Sequence, residues 1–195
     1  MTALMRQARR QVTDREILSA MLDRMEVIHL GMHDGAYPYV VPLNFGYEWR
    51  EDELIFYFHC ARKGRKLELL ARDPHVCVTA SAFVNYAQDT VKGHLHDYRS
   101  IIARGVASPI DPREQAEEAA QAMRRILIHH HRDTSCAETP LMGSLLLWRI
   151  VCKAEEVTGK AEITPRCLAD VPFAAPAHDG IPLDESHILD AGRED

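Results

Sequence analysis

The stretch "LIFYFHCARKGRKLELLARDP", Leu54 to Pro74, decides how this chain is read. Its first half alternates as a strand does, with Phe56 and Phe58 on one face and Tyr57 and His59 on the other. Its second half gathers Arg62, Lys63, Arg65 and Lys66 and then places Leu67, Leu69 and Leu70 on an inward helical face. Asp73-Pro74 ends that helix, because a residue before proline is pushed out of the α conformation. The chain as a whole is acidic, with a formal net charge of -6, so a basic strand-to-helix turn needs a reason. Backbone N–H groups at a helix start lack partners, and the dipole there favours anions over cations. A phosphate monoester, carrying about -1.5 to -2 charges, would satisfy such a turn. A solvated basic face is the other reading, and the run alone leaves both open.

Working outward, residues 13–26 read as a helix, with Thr13 and Glu16 at capping-box spacing and Ile17, Leu18, Met21, Leu22 and Met25 as its apolar stripe. Asp34-Gly35 is a hairpin signal. In the returning strand Tyr39, Val41, Leu43, Phe45 and Tyr47 share a face. Pro42 inside that strand has no N–H for a ladder, so the strand lies at an edge or is bulged there. Backbone groups freed beside Pro42, together with Asn44, suit the edge of a planar heterocycle; an edge strand without a ligand is equally compatible. Residues 75–84 and 98–108 read as strands, the second with Gly105 as a candidate bulge. Residues 85–97 read as a loop, 111–131 as a helix capped by Asp111, and 144–158 as a last strand. The order predicts a mainly β protein with flanking helices: a six-stranded antiparallel barrel in residues 1–160. Residues 161–195, rich in Pro, Ala and Asp, read as a tail with little core of its own.

Composition narrows the function. The chain is 46% hydrophobic and 27% charged, as in ordinary globular proteins. No apolar run is long enough for a membrane helix, and the first ten residues lack the apolar segment of a signal peptide. The acidic balance disfavours nucleic acid as a partner. Five scattered cysteines without a CxxC pair fit reduced thiols, and so a cytoplasmic setting. Phosphate loops of the GxxxxGK[ST] or GxGxxG type are absent. His129, His130 and His131 follow one another on a helix about 100° apart, so they cannot converge on one metal ion, and no metal site is expected. Trp148 reads as core or interface packing rather than a flavin stack.

Taken together, "YPYVVPLNFGYE", "LIFYFHCARKGRKLELLARDPHVCVTA", "YRSIIARGVA" and a terminal strand ending in "TGK" resemble the FMN-binding split-barrel superfamily that includes pyridoxamine 5′-phosphate oxidase. Within it the chain is most similar to the 5-nitroimidazole-resistance (Nim) flavoproteins, over roughly residues 5–160. The most specific piece is F-H-x-A-x-x-G-x-K, present as Phe58, His59, Ala61, Gly64 and Lys66. Arg62 and Lys63 depart from the pattern, in which an acidic residue is frequent nearby.

The resemblance implies a split barrel that dimerises, with FMN at the dimer interface. It implies that Lys66, with Gly64 or Arg65 beside it, holds the FMN phosphate. Pro42, Leu43 and Asn44 would lie along the isoalloxazine, and Tyr98 and Ser100 would reach the flavin or phosphate, from the same chain or the partner. His59 would face the active site as proton donor to a nitroaromatic acceptor, with a nicotinamide as possible electron source; closing the strand is its other reading. The rival functions are a flavin carrier or sensor without turnover and a haem-binding split barrel.

Overall fold

The computed structural model describes residues 8–86, 96–135, 137 and 145–161. Most of the expected tail therefore lies outside the described residues, as do Cys136, Cys167 and His94. The first elements are β1 (Gln11–Val12), α1 (Arg15–Leu22), β2 (Val27–Asp34), β3 (Tyr37–Asn44), β4 (Gly46–Arg50) and β5 (Glu53–Ala61). They are followed by α2 (Arg65–Arg72), β6 (His75–Tyr86), β7 (His96–Ile110), α3 (Ala116–His129), β8 (Leu145–Lys153) and β9 (Val157–Lys160). The strands form one antiparallel sheet of nine, in the order β3-β2-β6-β7-β8-β5-β4, with β9 paired to β7 and β1 to β9. Among the described residues no ladder joins the end strands β3 and β4, so the sheet curls without closing. Residues from both of its ends nevertheless meet in one core, where Ile28, Leu30, Phe45, Phe56, Phe58 and Ile150 are wholly buried.

The count of nine corrects the expected six. The strand read as continuous through Tyr47 is two, because the chain leaves β2 at Asn44 and takes up β5 at Gly46. The last strand is likewise split by a 3-10 turn at Ala154–Glu156, and β1 adds a short pairing. Gly46 marks the first crossing: a side chain there would strike the backbone of Arg125 and Ile126 at 2.4 Å, where α3 passes over the sheet. Gly105 is not a bulge. It pairs regularly with Val76, and a side chain there would meet Cys152 Sγ at 2.5 Å; the register shift lies between Phe83 and Asn85 instead.

Local signals were displaced in two helices. Asp14, not Thr13, caps α1, accepting from Ile17 N at 3.0 Å, and the helix ends at Leu22. Asp111 caps a preceding turn through Arg113 N, and α3 begins only at Ala116. The β5 alternation holds. Leu54, Phe56, Phe58 and Cys60 enter the main core, while Ile55 and Tyr57 pack in a second cluster with Ala119, Ala122 and Ile126 of α3. Trp148 is buried and stacks on Phe58 at 6.3 Å.

Candidate functional site

The site starts from the basic turn. Gly64 precedes α2 with φ 140°, a conformation open to glycine, and caps it without a side chain. No atom lies within 4 Å of where a Cβ would stand, so the approach to the first turn is open. Leu67 N is bonded to Gly64 O, and the earlier N–H groups of the turn point out of the helix without intrahelical acceptors. Lys66 is half-buried, its Nζ 5.8 Å from the centre of the Phe58 ring. No carboxylate pairs with it among the described residues.

Arg65 behaves differently. Its Nε donates to Asp34 Oδ2 at 3.0 Å, its Nη2 to Asp34 Oδ1, and its Nη1 to Glu68 Oε2 at 2.8 Å. The hydrogen bond from Arg65 holds the Asp34 carboxyl below its usual range. The two cations expected to act together at the phosphate are thus divided: Arg65 is tied to the β2–β3 hairpin, and Lys66 is uncommitted.

His59 sits at the end of β5, half-buried, opposite Leu147 of β8. Burial, then the charges of Lys66 and His130, pushes its pKa below the ordinary imidazole value. His59 is therefore largely neutral near pH 7 in this state. His130 caps α3, and its Nε2 is buried without a hydrogen bond. The adjacent His129 is part of the fold: its Nε2 meets Met25 O at 2.7 Å, and its ring packs on Phe45 at 4.2 Å.

The third side of the site is edge strand β3. Edge position, not a bulge, accommodates Pro42, which faces His29 in regular register. Pro42 and Asn44 are exposed, whereas Leu43 is half-buried against the core and leaves only its backbone for a ligand. Asn44 precedes Gly46, which pairs with Tyr57, two residues before His59. β3 and β5 come into contact without pairing, and the gap between them is the candidate opening, with Pro42 and Asn44 on the β3 side and His59, Gly64 and Lys66 at the end of β5 and the start of α2.

Tyr98 and Ser100 lie on β7, three strands from β3 in the sheet order. Ser100 pairs with Ser81 and with Lys160. Lys160 Nζ lies 3.5 Å over the Tyr98 ring. Sequence reasoning missed Asp34, His130 and Lys160. Asp34 was visible only as a turn residue, and nothing local marks a pairing 31 positions away.

An uncommitted lysine, unbonded N–H groups and open space at Gly64 fit a phosphate. An exposed proline edge with Asn44 fits a planar ring bearing polar atoms.

The chain matches the pyridoxamine 5′-phosphate oxidase family over residues 14–161. It belongs to that family. Among solved structures, a Bacteroides thetaiotaomicron protein assigned to 5-nitroimidazole antibiotic resistance is 26% identical, with 77% of this chain and 85% of that one covered at a TM-score of 0.55. The flavocytochrome Anf3 of Azotobacter vinelandii is 21% identical, over 84% of this chain and 74% of that one, at a TM-score of 0.58. An FAD- and haem-binding protein of Mycobacterium smegmatis is 18% identical, over 89% and 93%, at a TM-score of 0.57. These last two show the fold. No curated protein gave a match. No helix among the described residues is long and apolar enough to cross a membrane.

Proposed function

We propose that this member of the family is an FMN-dependent oxidoreductase, acting as a homodimer on a small nitroaromatic acceptor. The observation that carries the reading is Lys66, uncommitted in the first turn of α2 and beside an open Gly64. Lys66 and the turn's N–H groups would hold the phosphate, and Pro42 and Asn44 would border the ring. Bound flavin supplies the electron transfer, and the protein supplies position and electrostatics. His59 lies next to this opening as a neutral imidazole and would exchange a proton with the acceptor. The resemblance to the resistance protein of B. thetaiotaomicron supports a nitroaromatic acceptor; a nicotinamide is the donor expected.

The dimer rests on the outer face of β2, β3, β6 and β7. Ile28, Leu30 and Met32 of β2 and most apolar side chains of β8 are taken up by the two cores. Val40, Ile102 and Val106 are exposed instead, beside a groove of about 800 Å³ that includes Gly31, Met32 and Cys77. A patch of this kind marks an interface, and a two-fold dimer burying more than about 2,000 Å² in total is the expected occupant.

The test is a comparison of FMN with riboflavin, which differ only in the phosphate. FMN should bind and turn the protein yellow, riboflavin should bind much more weakly, and Lys66→Ala should weaken FMN at least about tenfold. Equal affinity for both flavins would overturn the phosphate site. Bound FMN with no turnover of any acceptor would leave a carrier or sensor, and a Soret band in place of a flavin spectrum would leave a haem protein.

A further inference from the structure

The four-cation turn is not a uniform basic patch, because one carboxylate reaches both ends of α2. Asp34 ends β2, one residue before the hairpin turn, and its side chain is only 24% exposed. It receives Arg65 of the first turn of α2 through both carboxylate oxygens. Arg72, at the other end of the helix, reaches Asp34 Oδ1 at 3.5 Å and His33 O at 3.4 Å. An eight-residue helix does not hold its shape in water by itself. Leu69 and Leu70 bury one side of α2 in the core. Those contacts fix its depth, and the first turn, which carries Lys66, needs a further restraint.

Arg65 is poorly placed for a free cation, since the positive end of the helix dipole lies there. Asp34 neutralises it and ties it to the hairpin whose second strand carries Pro42 and Asn44. We propose that Asp34 is a positioning residue for the phosphate-binding turn, acting through Arg65, and that Lys66 rather than Arg65 is the cation left for the ligand. This inference rests on the phosphate reading of the site. Removing the carboxylate has two opposed consequences. It takes away a screened negative charge, which would favour a phosphate, and it releases the first turn. The second prevails here because Arg65 keeps Glu68 as a partner and gains little freedom to serve the ligand.

The experiment measures FMN and riboflavin affinities of the full-length protein and its variants by flavin fluorescence, with thermal unfolding followed in parallel. Asp34→Asn should weaken FMN by about tenfold through lost preorganisation while leaving riboflavin unchanged. Asp34→Glu, which keeps a carboxylate for Arg65, should retain most of the FMN affinity. A purely structural role would lower both flavins together, so the ratio of the two affinities is the diagnostic. A wild-type protein that prefers FMN, with an Asn variant that binds FMN equally or more tightly, would overturn the positioning role alone. A wild-type protein without preference for FMN would overturn the phosphate reading and this inference with it.

Discussion

Glu48 and Asp34 each collect two arginines, and they do so in opposite settings. Glu48, on β4 beneath α3, is only 6% exposed. It accepts from Tyr57 Oη at 2.8 Å, Arg50 Nε at 2.5 Å, Gln121 Nε2 at 2.6 Å and Arg125 Nε at 3.0 Å. Burial raises its carboxyl pKa, the donors outweigh that, and the net shift is downward. Asp34, at the surface, ties down α2 and leaves a neighbouring cation unused. A buried charge must be fully compensated, so the Glu48 network has no vacancy for a ligand. An exposed network is free of that demand, and the difference separates the part of the molecule that fixes α3 from the part proposed to hold a phosphate.

The largest effect expected from this contrast concerns stability. Glu48→Ala removes the acceptor of the wholly buried Tyr57 hydroxyl and of Gln121 where α3 crosses Gly46, while Arg50 and Arg125, each 43% exposed, are resolvated. Leaving buried donors without an acceptor costs about 1–3 kcal/mol. Asp34→Ala should leave the urea midpoint nearly unchanged, because its partners remain solvated. Equal midpoints for the two variants would erase the distinction between the networks.

Much of this was legible in the chain. The two faces of β5 followed from alternation, and Pro42 announced an edge strand. The strand count was not legible, for a physical reason. Tyr39, Val41, Leu43 and Phe45 keep facing inward, and Tyr47 still packs on the same core, while the chain exchanges β2 for β5 as its partner. The hydrophobic period records burial and is blind to which strand supplies the hydrogen bonds. The candidate site divides along the same line. Gly64, Lys66 and His59 lie within one short stretch and could be read together. The Asp34–Arg65 pair and the approach of His130 to His59 join distant segments, which no local pattern encodes. Tyr98 and Ser100 came from the family resemblance, and they stand on β7, three strands from β3.

A smaller effect sharpens the functional side of the contrast. His59→Ala should leave FMN bound and slow reoxidation of the reduced flavin by a nitroaromatic at least about tenfold, at the low end of what a positioned proton donor contributes. Because its pKa is depressed, the protonated fraction of His59 grows as pH falls below neutrality, so wild-type reoxidation should quicken there and the variant's should not. Anaerobic stopped-flow measurements between pH 5 and 8 read both features; parallel profiles would remove His59 from the proton step.

The smallest expected effect is on the pH dependence of stability, and the buried and exposed groups contribute to it in separate windows. His59 and His129 both have folded pKa values lowered chiefly by burial. Below the unfolded imidazole value of about 6.5 the unfolded chain therefore binds protons that the folded chain refuses. Their contribution is complete above that value and is lost progressively as pH falls through it. The carboxyls of Asp34 and Glu48 are also lowered, so their contribution stands above the ordinary carboxylate range and disappears only at still lower pH. Urea midpoints should thus be flat from about pH 8 to 7, decline gently toward pH 5, and fall more steeply below about pH 4. His129→Gln separates the two steps. It removes one of the two refused protons, so the decline between pH 7 and 5 should become shallower, while the drop below pH 4 should stay as it is. A midpoint that rises as pH falls from 7 to 5 would mean that the histidines gain protons on folding, and the lowered His59 pKa from which the pH profile of the proton step was argued would be wrong.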